Sequence, residues 1–343
     1  MLNEMALVRL ASYTDIHLNV KEPKCSVLFQ SGRKKVPPDL EDAIVALAAE
    51  VVTQSEIAYK EMGTEAKSFM IDLGKIRFRT TAIRPGELYA MRQSRQTPPV
   101  LGRDVVLPDH VSAALLSEEL KKTGGLVTIN GIPGSGKTWS ALATILKRLE
   151  MYGGYCLTIE DPPEMIIEGW IGDKGGYCEQ MDASRNGYRE CVATSLRCFP
   201  AQERAMMFIG EIREPEPAAE MLRIALSGHL VFTTVHAEDH AAACQRIISL
   251  AQMGGEPDAK RMLANSLKLS LNQRLDGPRM NASVLKVTNQ VSGSIERGEY
   301  AQFGNIVDSQ QTAMRGSMPR PSAPMPRPYP DRWRGGCECK GQH

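Results

Sequence analysis

The run GIPGSGKT, Gly131 to Thr138, matches the spacing G-x-x-x-x-G-K-[ST] and follows the apolar stretch Leu126–Ile129. Residue types in that order suit a phosphate chain. Gly131, Gly134, Ser135 and Gly136 let backbone N–H groups approach an anion closely, and the helix expected next adds its N-terminus to the same charge. Lys137 is placed to reach β- and γ-phosphates, and the Thr138 hydroxyl is placed to ligate Mg²⁺. ATP and Mg²⁺ are therefore the expected nucleotide and ion.

Hydrolysis needs acidic groups near the terminal phosphate. Two acidic clusters lie where apolar strands should end: IEDPPE, which holds Glu160 and Glu164, and IGEIRE, which holds Glu211. The apolar strand before Glu211 leads through Gly210 with no preceding aspartate. A third segment, GHLVFTTVH, brackets an apolar strand with His229 and His236. Either imidazole could donate a hydrogen bond to a phosphate or to a carboxylate.

The elements that must position these groups divide the chain. Residues 1–95 mix alternating strands (Thr14–Val20 and Lys75–Ile83) with one long helix, Leu40–Met62. Residues 96–111 hold three prolines and little periodicity and read as a linker. From residue 112 to 313 the pattern is strand, turn, helix, repeated. Strands are expected at 126–129, 155–159, 205–209, 229–235 and 282–287. Helices are expected at 137–150, 186–197, 214–226, 239–252, 259–273 and 291–297. That alternation predicts an α/β fold with a parallel sheet covered by helices, and a ligand at the carboxyl ends of its strands. Ile167–Arg185 is glycine-rich and reads as a mobile surface loop. The tail 314–343 carries six prolines within Pro319–Pro330 and reads as disordered.

Composition narrows the class. A formal net charge of +1 over 343 residues gives no global pull toward nucleic acid or membrane. No apolar run has the length of a membrane span and the N-terminus has no signal-like segment, so the expected location is cytoplasmic. The eight cysteines include no C-x-x-C pair and are expected to stay reduced. Cys337, Cys339 and His343 read as thiols and imidazole on a solvated tail, with soft-metal binding as the other option.

Taken in order, GIPGSGKT, TIEDPPE, FIGEIRE and GHLVFTTVHAEDHAA resemble the secretion and pilus ATPases of the GspE/PilT type. They correspond to that family's Walker A, aspartate, Walker B and histidine boxes. TDIHL (14–18), RFRTTAIR (77–84) and RMLANSLKLSLNQRL (261–275) extend the resemblance. TPPVLGRDVVLPDHV (97–111) is similar to the linker of the DotB/TraJ ATPases of type IVB secretion and plasmid conjugation. The resemblance implies a small PAS-like α/β domain before a RecA-like motor domain. It implies a homo-hexamer working peripherally at the inner membrane with secretion or pilus apparatus proteins. By position, Glu211 becomes the Walker B glutamate and touches Mg²⁺ directly or through water. Glu160 or Glu164 polarises the attacking water, and His229 and His236 are the histidine-box residues. Arg77, Arg79, Arg84 and Arg92 are candidates to reach the nucleotide from the N-terminal domain.

The match has departures. Pro133 and Thr138 give PGSGKT where the family usually has TGSGKS, and SLRCFPAQERAMMFIGE replaces the usual acidic approach to Walker B, keeping only Arg197. A pilus-retraction motor of the PilT kind is the nearest alternative reading. An ATP-binding regulatory protein with little turnover and a nucleic-acid helicase are alternatives of other classes. Intact Glu211, Glu160 and Glu164 argue against the first of these, and the neutral charge balance argues against the second.

Overall fold

The structure is a computed structural model, and it describes residues 4–30, 32–62, 68–74, 76–94, 97–200, 205–276 and 279–317. The Cys337, Cys339 and His343 group lies outside these residues.

The first part of the chain holds helix α1 (Glu4–Leu10), strands β1 (Asp15–Asn19), β2 (Val27–Phe29) and β3 (Arg33–Lys35), and helix α2 (Glu41–Met62). Strands β4 (Ser68–Asp72), β5 (Arg77–Arg84) and β6 (Leu88–Ser94) follow. The six strands form one antiparallel sheet in the order β3-β2-β1-β6-β5-β4. Alternation sets its faces. On β5, Phe78 and Thr80 are buried, so Arg77 and Arg79 project from the other face. Ile16, Leu18, Phe78, Tyr89 and Met91 pack against Ile44, Leu47 and Val51 of α2. Arg33–Lys35 at the sheet edge is all exposed and basic, a common device against edge-to-edge pairing.

The second part begins with α3 (Asp109–Leu115), α4 (Glu118–Thr123), β7 (Gly125–Asn130), α5 (Lys137–Tyr152) and β8 (Gly154–Glu160). It continues through β9 (Gly169–Ile171), β10 (Gly176–Asp182), α6 (Ala183–Cys198), β11 (Met206–Glu211), α7 (Pro215–Leu226) and β12 (Leu230–Val235). It ends with α8 (His240–Met253), α9 (Ala259–Ser266), β13 (Leu267–Asp276), β14 (Arg279–Lys286), α10 (Asn289–Arg297) and α11 (Phe303–Ser317). Eight strands form a sheet in the order β14-β13-β7-β12-β11-β8-β10-β9. The six central strands pair in parallel, while both edge strands run antiparallel, so the sheet is mixed rather than purely parallel.

Every residue of β7 and β12 is buried. That accounts for their continuous apolar runs, because helices cover both faces of a central parallel strand. One face packs α5 with Val127, Ile129 and Phe208, and the other packs α7 and α8 with Leu126, Val231 and Ile209.

Several expectations change. The helix read over 259–273 stops at Ser266, and β13 takes over at Leu267. Leu267, Leu269 and Leu271 are all buried, which is a period of two. The segment read as a loop over 167–185 contains β9 and β10, which extend the sheet beyond β8. The stretch 96–111 buries Val105, Leu107 and Val111 against the second sheet, and its last residues begin α3. Helix α11 runs on to Ser317, past residue 314, where the tail was expected to begin. No described helix is long and apolar enough to cross a membrane.

Candidate active site

Sheet register brings the chemistry together. Asn130 on β7 pairs with Val235 on β12, Thr234 with Glu211 on β11, and Ile209 with Ile159 on β8. The carboxyl ends of four adjacent strands therefore present Gly131, His236, Glu211 and Glu160 side by side. A register shift at Gly210 re-aims the end of β11, and Thr234 Oγ1 donates to the Gly210 carbonyl at 2.7 Å.

The phosphate loop follows β7. An added Cβ at Gly131 would lie 2.4 Å from the Gln273 carbonyl oxygen and 2.5 Å from Ser135 Oγ, so only glycine fits there. Gly136 sits at φ +80° and opens α5. Gln273 on β13 supports the loop from the side, its Nε2 donating to the Ser135 carbonyl at 2.6 Å. The Ser135 hydroxyl is buried with no hydrogen-bond partner.

Lys137 is buried, and its Nζ donates to the Gly131 and Ile132 carbonyls, both at 3.0 Å, and to His236 Nδ1 at 3.1 Å. An ammonium is only a donor, so Nδ1 accepts and the neutral ring carries its proton on Nε2. That Nε2 faces Glu211 Oε1 at 2.9 Å. Burial holds the proton affinity of both Lys137 and His236 below the ordinary range, with the Glu211 charge opposing it in each case. Glu211 also pairs with Arg213, whose guanidinium is held above its usual value by that hydrogen bond.

A cavity opens in front of this chain. It is lined by Arg79, Thr138, Glu160, Asp161, Pro162, Glu164, Tyr188, Gly210, Glu211 and Arg213. Glu160 is 4% exposed, and its Oε1 accepts from Thr158 Oγ1 at 3.1 Å and Gln180 Nε2 at 3.3 Å. Burial pushes its carboxyl up to about 7 despite those donors. Burial also raises Asp161, against the charge of Arg79. Glu164 faces Arg79 across the two sheets at 3.5 Å.

The site residues expected from sequence separate clearly. Lys137, Thr138, Glu160, Glu164, Glu211, His236 and Arg79 converge on the strand ends. His229 does not: it precedes β12, at the amino end of the sheet, where Ala205 N–H donates to its Nδ1 and its ring lies 4.4 Å from that of Phe199. Arg84 pairs with Glu87 and Arg92 with Asp15, both largely exposed and outside the cavity. Arg77 shares a sheet face with Arg79, does not line the cavity, and buries its Nε without a hydrogen-bond partner. Sequence reasoning missed Asp161, Tyr188, Gln180 and Arg213. The last stands two residues beyond Glu211, a spacing that returns it to the same side of an extended chain.

These residues fit a magnesium nucleotide. Four carboxylates and Thr138 line one cavity, the buried Lys137 connects to Glu211 through His236, and a buried unpartnered hydroxyl lies in the loop. Among the described residues no three His, Cys, Asp or Glu side chains form a ready-made metal site.

The sequence model described as "Type II/IV secretion system protein" matches residues 3–301. The chain is 30% identical over 284 residues to a protein transport protein HofB homolog of Escherichia coli K12, covering 79% of this chain and 57% of that protein. It is 29% identical over 269 residues to type II secretion system protein E of Pseudomonas aeruginosa, covering 76% and 50%. It thus spans about half the length of these relatives. The fold is similar to that of the pilus retraction motor PilT solved with ADP, with TM-score 0.63, 20% identity, and 92% and 90% of the two chains covered. It is also similar to the Legionella pneumophila ATPase DotB, with TM-score 0.62, 19% identity, and 90% and 86% covered. With the four motifs joined at the ends of adjacent strands and the family match running through both sheets, this chain belongs to the GspE/PilT-type family of type II/IV secretion system proteins.

Proposed function

We propose that this chain hydrolyses ATP with Mg²⁺ and couples turnover to a secretion or pilus machine. The observation that carries the reading is the continuous hydrogen-bonded chain Lys137–His236–Glu211, set against Glu160, Glu164 and Arg79 across one cavity. A phosphate-binding lysine is wired to the acidic group that would meet the ion, so nucleotide arrival and acid geometry are linked.

Roles follow from environment. Loop amides and Lys137 hold the phosphates. Thr138 and Glu211 would hold Mg²⁺, Glu211 directly or through water, and the bound ion would neutralise charge on the phosphate oxygens. Glu160, with a proton affinity near neutral pH, takes the proton of the attacking water, as a general base should near its operating pH. Glu164 positions Arg79, whose fixed charge faces the cavity from the first sheet and stabilises charge on the transferring group. Neutral His236 keeps Glu211 oriented.

In this reading residues 1–95 form a PAS-like domain, 96–111 a linker, 112–317 a RecA-like motor, and 318–343 a tail. The chain works as a homo-hexamer in the cytoplasm, peripherally at the inner membrane. The DotB-like linker favours type IVB secretion or conjugative transfer, with a type IV pilus motor next, since the fold resembles DotB and PilT equally. A second reading has its own observation: Glu211 is engaged by both His236 and Arg213. A chain that kept those contacts with nucleotide bound would bind ATP and turn it over slowly. Sizing in solution with and without Mg·ATP, with phosphate release measured on the same fractions, tests the proposal. A hexamer that releases phosphate supports the motor, whereas a monomer that binds ATP without turnover at high concentration supports the second reading.

A further inference from the structure

The segment expected to be a mobile loop carries one side chain that holds the acidic loop in place. Gln180, on β10, makes three hydrogen bonds. Its Oε1 accepts from Ile167 N–H at 2.7 Å. Its Nε2 donates to the Met165 carbonyl at 2.9 Å and to Glu160 Oε1 at 3.3 Å. One amide thus acts like a short strand added beside residues 165–167. Because oxygen and nitrogen each meet the complementary group, the amide orientation is fixed by the network. Met165 and Ile167 are buried, which anchors the far end of the loop that begins at Glu160 and carries Asp161 and Glu164.

We infer that Gln180 is the positioning residue for the catalytic carboxylates, fixing both the rotamer of Glu160 and the path of the loop to Ile167. The inference rests on the ATPase reading above. Gln180 and Thr158 both donate to Oε1 of Glu160, so the remaining oxygen, Oε2, is the one that takes a proton from water. Groups facing Glu160 include Glu164 and Asp182, which disfavour its charge, and Tyr188 and Cys156, both neutral at ordinary pH. Asp161 and Arg79 lie beyond them in the same cavity. Against that acidic surround, the donors from Thr158 and Gln180 favour the charged form of Glu160. Losing one moves its titration upward by about one pH unit, the size of one hydrogen bond to a charged acceptor.

The test uses the full chain with Gln180→Met, which keeps side-chain volume, and Gln180→Ala should the first not fold. Two readouts are combined. Hydrogen exchange of the peptide over 161–169 does not depend on activity, and the Ile167 amide should exchange at least about tenfold faster in the variant. The acid limb of kcat/KM for ATP should move upward by about one pH unit, so that turnover at pH 7 falls roughly fivefold and recovers by pH 9, with KM little changed. A merely structural role would lower kcat equally at all pH values, and that result overturns the inference. Unchanged exchange over 161–169 also overturns it, whatever the activity. If the wild type itself lacks turnover, the ATPase reading fails and the catalytic role of Gln180 falls with it, while the exchange result still decides whether the loop clamp exists.

Discussion

Replacing Glu160 with Gln should separate stability from activity in opposite directions. The Glu160 carboxyl is raised from 4.5 to about 7 in the folded chain, chiefly by burial. A raised carboxyl favours folding most while neutral. Its contribution is fully present below about pH 4.5 and is lost as pH rises to about 7. At about 1.4 kcal/mol per pH unit, keeping Glu160 ionised at pH 8 costs the fold about 3 kcal/mol. Its 4% exposure leaves little solvent to screen that cost. Gln at the same position keeps an oxygen to accept from Thr158 and Gln180 and never ionises. Glu160→Gln should therefore raise stability at pH 8 by up to about 3 kcal/mol and change it little at pH 4.5, while ATP turnover falls by at least about a hundredfold. Urea titrations of both proteins at the two pH values, read by circular dichroism, measure the difference. A variant less stable than wild type at pH 8, or equally stabilised at both pH values, would refute the burial argument.

Other perturbations follow from the same geometry. Gly131→Ala forces a Cβ against the Gln273 carbonyl and Ser135, so nucleotide binding measured by fluorescent ATP should weaken at least about tenfold. Arg79→Ala should lower kcat about tenfold or more, whereas Arg84→Ala and Arg92→Ala should stay within about twofold in the same phosphate-release assay. Their exposed ion pairs with Glu87 and Asp15 contribute little to stability, because solvent screens them. His229→Ala should leave ATP affinity at the wild-type level, because the ring lies at the other end of the sheet. Leu222→Ala, on the buried face of α7, should cost about 2–5 kcal/mol by urea denaturation.

How much was legible depended on how local the cause was. The phosphate loop and the acidic strand ends are written in consecutive residues, so their types and order could be read directly. The central strands were legible because burial on both faces leaves continuous apolar runs. The hairpin strands β9 and β10 were not, because glycines at 169, 172, 175 and 176 looked like turns, and only the pairing of β10 with β8, and of β9 with β10, makes them sheet. The end of α9 was missed because the leucines at 263 and 267 fit a helical repeat as well as those at 267, 269 and 271 fit a strand. His229 was misplaced for a simpler reason. Two histidines that bracket a six-residue strand are seven residue steps apart, roughly 23 Å at about 3.3 Å per residue, so both cannot reach one phosphate. The choice of Arg79 among four arginines needed the packing of one sheet against the other, which no spacing encodes.

One comparison tests the hydrolytic site most directly: ATP binding and steady-state phosphate release by wild type, Lys137→Ala and Glu211→Gln. The wild type should turn over ATP. Lys137→Ala should lose both binding and turnover, and Glu211→Gln should bind ATP while turnover falls by at least about a hundredfold. Full turnover by Glu211→Gln, or unchanged ATP affinity in Lys137→Ala, would contradict the assignment of the Lys137–His236–Glu211 chain as the hydrolytic site.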